Sequence, residues 1–242
     1  MEKQFELLMQ EGLEHTIKLS QEQMNQFYQF YQLLIKWNEV MNLTAITEME
    51  QVVIKHFVDS LALVRVFNDL DEKRTSVIDI GTGAGFPGIP LKIAFPGLKI
   101  TLIDSLNKRV RFLDEAIDNL GLMEIEAVHG RAEDLGRDKK YREVYDLGVS
   151  RAAANLSTLA EYCMPFVKVG GYFVPYKSGK IEGELNQGKG AIKKLGGRLE
   201  HTFSFQLPKD DGERCLVKIK KIESISGRYP RKAGLPGKEP LR

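Results

Sequence analysis

Residues 77–91, VIDIGTGAGFPGIPL, constrain the fold more than any other stretch of the chain. Val77-Ile78-Asp79-Ile80 reads as a short apolar strand that runs straight into a turn carrying Gly81, Gly83, Gly85 and Gly88. Ile89, Leu91, Ile93 and Ala94 then open a helix, with Pro90 tolerated in its first turn. Glycine serves where backbone must turn tightly and a ligand must come close. A strand that ends in such a turn and restarts as a helix is the nucleotide-cofactor corner of an open α/β sheet.

The motif alone leaves the cofactor open. Residues 83–88 match GxGxxG, the dinucleotide fingerprint, and a lone match is weak. A loop with no ligand is a further reading. Three features favour S-adenosylmethionine. The turn begins at Gly81, so that it reads GxGxG through Gly83, and bulky Phe86 follows. Asp79 ends the strand, where an acid suits a cationic sulfonium amino acid better than a pyrophosphate. Pro87 withholds an N–H from any phosphate cradle.

A chain of 242 residues suits one large domain, or one domain with an appendage. Its 35 basic and 33 acidic residues nearly cancel, but residues 216–242 hold eight Lys or Arg against two Glu, a net +6 in a chain of +2. Such a tail fits a polyanionic partner, or simply a solvated end. Two cysteines, Cys163 and Cys215, offer neither a disulfide framework nor a zinc site, and no metal is expected. The N-terminal stretch lacks the apolar run of a signal peptide, and no stretch reaches ~18 apolar residues. The expectation is a soluble, cytoplasmic monomer that does not engage a membrane.

Residues 1–74 read as a helical extension. Ser20 with Gln23 forms a capping-box pattern, and Met24, Phe27, Tyr28, Tyr31, Leu34 and Ile35 share one helix face. These aromatics read as core rather than as a base-stacking platform. A third helical run spans residues 52–67. Polar amides at Asn38 and Asn42 suit capping or a substrate-facing role. His56 and Asp59, three apart, can touch.

From Thr75 strands alternate with helices, which predicts a mainly parallel sheet over residues 75–224. The second strand ends on Asp104, placed to accept both hydroxyls of a ribose, or else to cap the helix after it. Lys108, Arg109 and Arg111 sit where the helix dipole disfavours them, a hint of an anion nearby. After the third strand Ala132 is small enough for an adenine to lie close, and backbone N–H groups at Ala132 and Glu133 can meet its ring nitrogens. Arg151 follows the fourth strand, and Lys177 ends the fifth after a turn at Gly170-Gly171. Two strands at 199–207 and 214–222 flank a hairpin turn at 208–212, which suits a methyltransferase sheet with an antiparallel last strand. Residues 225–242 carry Pro, Gly and charge that forbid regular structure. Arg228, Arg231 and Lys232 around Tyr229 offer phosphate contacts beside a stacking ring.

Methyl transfer from a sulfonium is mainly a matter of positioning. The Asn-Pro-Pro-Tyr clamp for an exocyclic amine is missing after the fourth strand, where the chain reads Ser150-Arg151-Ala152-Ala153. Neither cysteine sits at the sheet's carboxyl edge, as attack on cytosine carbon-5 requires. By elimination a ring nitrogen such as guanine N7 fits best, and no catalytic residue is assigned. Two rivals are an NAD-dependent oxidoreductase and a non-catalytic RNA-binding factor.

The blocks KWNEVMNLTAI, KHFVDSL, DIGTGAGFPGIPL, LIDSLNKRVRFL, GRAEDL, SRAAANL and YPRKAGLPGKEP, in that order, resemble the bacterial glucose-inhibited division protein B family, the small-subunit ribosomal RNA guanine-N7 methyltransferases. The resemblance implies a class I S-adenosylmethionine-dependent methyltransferase fold with a helical N-terminal extension. It implies cofactor contacts at Gly81, Phe86, Ala132, Glu133 and Arg151, and a target guanosine in the decoding region of the small ribosomal subunit. Asp104 joins them from its spacing, and Gly83 from the glycine turn. Arg151 would repel a sulfonium at close range and is expected to reach the cofactor carboxylate or an RNA phosphate. Lys177 and the tail are the candidate RNA contacts.

Overall fold

The structure, a computed structural model, describes residues 3–13, 16–70 and 75–242. Strands β1 (Ser76–Ile80), β2 (Lys99–Asp104), β3 (Ile125–His129), β4 (Tyr145–Ser150), β5 (Val167–Ser178), β6 (Gly197–Leu207) and β7 (Asp210–Lys221) form one sheet in the order β3-β2-β1-β4-β5-β7-β6. β1 to β5 pair in parallel, and β7 lies between β5 and β6, antiparallel to both. Six strands therefore run one way and the last runs against them, as expected. Val77, Ile78 and Ile80 are all buried, because helices cover both faces of the sheet at its central strand.

Two local expectations are corrected. Gly170-Gly171 do not precede β5 but lie inside it, where the register against β4 slips between Tyr145 and Leu147. Gly170 has φ +90°, and a Cβ on Gly171 would lie 2.5 Å from the Asp146 carbonyl oxygen. The pair forms a bulge that only glycine fits. The hairpin is also tighter than 208–212. Pairing continues to Leu207 and Asp210, so only Pro208 and Lys209 turn, with Lys209 at φ +57°. Two-residue turns with positive φ match strand twist best.

Before the sheet, helices span Lys3–Leu13 and Gln21–Met41, and a helical run covers residues 49–65. The Ser20–Gln23 capping box is present. The third run widens into π-helical geometry over Val53–Val58. No strand occurs before β1 among the described residues, and the boundary expected after residue 74 adjoins residues 71–74, which lie outside them. The aromatics are core. Phe57 packs against Phe27 and Phe30 at ring separations of 5.2 and 5.7 Å, and Phe30 meets Phe86 of the glycine turn at 5.4 Å. This ties the helical extension to the corner and caps one end of the sheet.

The tail is largely without regular secondary structure, as expected, but it is packed against the body rather than solvated. Ile225, Tyr229, Pro230 and Pro236 are buried, and Leu235–Lys238 forms a helical turn. Its composition reads as disorder because so few residues are apolar. Its carbonyls are held instead by side chains of the body. Arg142 donates from Nη1 to the Tyr229 oxygen at 2.9 Å and from Nη2 to the Ile225 oxygen at 3.0 Å, and Thr158 Oγ1 donates to the Pro236 oxygen at 3.0 Å.

Candidate active site

The glycine turn is sewn onto the end of β2. Gly81 and Thr82 donate their N–H groups to the Ile103 oxygen at 2.9 and 3.1 Å. Gly81, Gly83 and Gly85 all take positive φ, between 61° and 88°. The helix Gly88–Ala94 starts beneath the turn, where a Cβ on Gly88 would lie 2.2 Å from Leu102 Cδ2. Asp79 does not reach out to a sulfonium. It is fully buried, and its Oδ2 accepts from Thr82 Oγ1 at 2.7 Å and from the Gly88 N–H at 2.8 Å. Burial, with nothing cationic in contact, pushes its pKa up to about 6. It braces the turn.

Beside the turn lies a cleft of about 360 Å³, lined by Gly81, Asp104, Gly130, Ala132, Glu133 and Ala152 among others. It sits at the carboxyl ends of β1, β2 and β3, where open α/β sheets bind ligands. Asp104 is buried. Its Oδ2 accepts from the Gly83 N–H at 3.0 Å and from Arg109 Nη1 at 3.3 Å, and its Oδ1 accepts from the Leu106 N–H at 2.9 Å. The anion foreshadowed by the basic helix start is therefore Asp104 itself. Glu133 is also buried, and its Oε1 accepts from the Gly234 N–H at 2.8 Å. Gly234 belongs to the tail and lines the cleft. Nothing in the local sequence around Gly234 signals this contact, because it depends on a partner 101 residues away.

Gly81, Asp104, Ala132 and Glu133 thus converge on one cleft, and Gly83 supports it through Asp104. Phe86 and Arg151 stand elsewhere. The Phe86 ring stacks on His56 at 4.6 Å between centroids, and the Arg151 guanidinium lies 5.0 Å over the same ring. Arg151 Nη1 donates to Asp59 Oδ2 at 2.9 Å and to the Lys55 oxygen at 3.0 Å. Its Nη2 lies 3.3 Å from His56 Nδ1, and Thr44 Oγ1 lies 2.8 Å from His56 Nε2. His56 and Asp59 therefore meet through Arg151. Asn38 Oδ1 accepts the Thr44 N–H at 2.8 Å, and Asn42 adopts the left-handed conformation that ends its helix, so both amides serve the chain reversal.

Arg151 faces a second cleft of about 420 Å³, which also takes in His56, Asp59, Lys177, Glu184 and Arg214. Ala152 lines both clefts. Lys177 is not a free surface cation. Its Nζ donates to the Ala154 oxygen at 2.7 Å and lies 2.6 Å from Glu184 Oε1. Arg231 is likewise corrected. It grips the fully buried Glu161 through Nε and Nη2, at 2.9 Å to Oε1 and 2.7 Å to Oε2. Tyr229 is buried and cannot stack a base, while Arg228 and Lys232 remain exposed. Cys163 and Cys215 are buried, and burial raises both thiols above their ordinary value, so neither serves as a nucleophile.

His56 is held neutral. Burial, then the Arg151 charge, lowers its pKa from 6.5 to about 3. The unfolded chain takes up a proton near 6.5 and the folded chain near 3, so stability from this residue is present above pH 6.5 and is lost as pH falls. Asp79 runs the other way, because its folded pKa of about 6 exceeds the ordinary carboxylate value of 3.8 and stability falls as pH rises between them. The two slopes oppose each other between pH 4 and pH 6. His56→Gln is expected to unmask the Asp79 slope, shifting the pH 4 minus pH 6 stability difference by roughly 2 kcal/mol towards pH 4. Urea unfolding at the two pH values checks this, and an unchanged difference would count against a neutral His56.

Residues 23–214 match the family model described as rRNA small subunit methyltransferase G. The chain belongs to that family. It is 52% identical to the "Ribosomal RNA small subunit methyltransferase G" of Lachnoclostridium phytofermentans, over 92% of this chain and 91% of that protein. It is 53% identical to the Brevibacillus brevis protein of the same name, over 93% and 94%, and 49% identical to that of Thermoanaerobacter sp. strain X514, over 99% of each. Among solved structures, M. jannaschii TYW2 in complex with AdoMet matches with a TM-score of 0.53 at 17% identity, over 68% of this chain and 77% of that one. TrmN from Thermus thermophilus matches with a TM-score of 0.51 at 17% identity, over 68% and 48%. These likenesses show the fold, that of class I methyltransferases.

The residues fit the cofactor of such enzymes. The cleft falls within the ~300–1,000 Å³ of small-molecule sites. It joins apolar Ile103, Ala132 and Leu159, which suit a purine face, to the buried Asp104 carboxylate, which suits a diol. A Cβ on Gly83 would meet nothing within 4 Å, so that glycine answers to backbone conformation rather than to crowding.

Proposed function

We propose that this methyltransferase uses S-adenosylmethionine to methylate N7 of a guanosine in the decoding region of the small-subunit ribosomal RNA. The observation that carries the reading is the pairing of a glycine-cornered cleft, closed by Asp104, with a cation-rich cleft across the single wall of Ala152. Gly81, Asp104, Ala132 and Glu133 would hold the cofactor, which when bound supplies a methyl group on a positively charged sulfur. The accepting nitrogen has a free lone pair, so no proton is removed at that atom and the chain needs no general base. This agrees with a His56 held neutral against Arg151 and with two buried thiols. The chain's work is to orient the acceptor and exclude water. Arg151 lines the second cleft, and Phe86 packs beneath its guanidinium.

The decisive test maps the modified base. Small-subunit RNA from cells lacking the enzyme is incubated with the protein and labelled donor, then digested and read by mass spectrometry. The expected product is one N7-methylguanosine in the decoding region. Label elsewhere, or none, would refute the reading.

A further inference from the structure

The second cleft lies at the carboxyl ends of β4 and β5, on the far side of the Arg151–Ala153 loop from the cofactor cleft. The strand order reverses direction between β1 and β4, the switch point at which doubly wound sheets open a crevice. Resting on the methyltransferase reading above, we propose that this cleft receives the target guanine and that Glu184 reads its Watson–Crick edge.

The cleft has the charge for nucleic acid. Lys55, Arg151, Lys177 and Arg214 face it against Asp59 and Glu184, with Asp210 pairing Lys55 and Arg214, so cations still outnumber carboxylates. Ile46 and the half-buried Phe205 supply apolar walls for a base lifted from its stack. Guanine N7 must point towards the cofactor cleft, across Ala152. The edge carrying N1–H and the 2-amino group then points away from it, towards the side formed by β5 and the helix Glu182–Lys194. Those two groups are donors and demand an acceptor.

Two carboxylates line the cleft, and their surroundings decide between them. Asp59 is buried and committed to Arg151 at 2.9 Å and Arg214 at 3.7 Å. The Glu184 side chain is 26% exposed, in the first turn of its helix, and is steadied by Lys177, which also holds the Ala154 oxygen. One lysine thus fixes both the reader and the loop dividing the clefts. The chemistry favours a carboxylate there. The N7 lone pair forms the new N–C bond while the electron pair of the broken S–C bond stays on sulfur. No proton leaves, and the positive charge passes to the purine. A carboxylate on N1–H and the 2-amino group interacts more strongly with that cation than with the neutral base, so it favours the transition state.

The test uses small-subunit RNA joined from segments with guanosine or inosine at the mapped position, since inosine lacks the 2-amino group. The parent enzyme is expected to lose roughly 10- to 100-fold in kcat/KM on inosine. Glu184→Ala is expected to lose a similar factor on guanosine, to show no further loss on inosine, and to bind S-adenosylmethionine within twofold of the parent by calorimetry. Equal discrimination against inosine by both proteins, or a cofactor affinity that falls with the glutamate, overturns the assignment while leaving N7 methylation standing. Absence of transfer by the parent enzyme to guanosine RNA would instead overturn the methyltransferase reading, and this inference with it.

Discussion

Asp104→Ala is expected to weaken S-adenosylmethionine binding by at least ~100-fold while changing RNA affinity by no more than about twofold. The carboxylate ends β2 inside the cleft proposed for the cofactor and accepts from the Gly83 N–H, the Leu106 N–H and Arg109. Removing it takes away the acceptor proposed for the ribose and also frees the glycine turn it pins. Each charge-assisted hydrogen bond is worth roughly 1.5–3 kcal/mol, so two to the ribose account for a loss of that size. Asp104→Asn keeps an acceptor of the same shape without the charge and should fall between the two. Calorimetry with the cofactor and filter binding with the RNA read the two affinities separately. Equal loss in both would mean that Asp104 supports the fold at large rather than the cofactor.

Arg231→Ala should be the most destabilising change in the tail. Its partner Glu161 is fully buried and is also bonded to the Arg231 backbone N–H at 2.8 Å. Removing one member of a buried ion pair strands the other, at a cost of about 3–5 kcal/mol. In a chain of this size that lowers the melting temperature by roughly 6–20 °C. The tail reaches Glu133 through Gly234, so cofactor affinity should fall as well. The salt dependence of RNA binding should not change, because Arg231 is spent on Glu161. Arg228→Ala and Lys232→Ala, both at exposed positions, should do the reverse. Each should leave the melting temperature in place and flatten the slope of log K against log salt by about one if it contacts a phosphate. A flattened slope in Arg231→Ala, without loss of stability, would show that the ion pair with Glu161 does not hold in solution.

How far the site could be read in advance depended on how local each contact is. Asp104 was legible as a carboxylate at a strand tip beside a glycine turn, and both of its readings, ribose acceptor or helix cap, are compatible with its bonds to the Gly83 and Leu106 N–H groups. Its partner Arg109 left a trace as a cation in an unfavourable helix turn. Ala132 and Glu133 follow a third strand in a repeating pattern, so their place at the sheet edge was fixed by alternation alone. Arg151 was correctly placed at the carboxyl edge, but which of two neighbouring clefts it faces depends on Asp59 and His56, more than ninety residues away. Lys177 reads as a surface cation until Glu184 and Ala154 close on it. The tail misled most, since its composition is that of a solvated end, and a single buried glutamate reverses the meaning of Arg231.

The amino-acid sequence by itself settled the strand–turn–helix corner, the direction of the sheet, the helical cap and the family. The first three follow from short-range rules: apolar alternation, the conformational freedom of glycine, and caps a few residues long. The family came from the resemblance of motif blocks spread along the chain. Only the tertiary structure decided that Arg151 faces the second cleft over the Phe86 ring, that Asp79 braces the turn, and that Gly234 of the tail lines the cleft beside the glycine turn. A charged side chain has the same sequence signature whether it faces water or a buried counter-ion. The choice is made when distant segments exclude solvent between them.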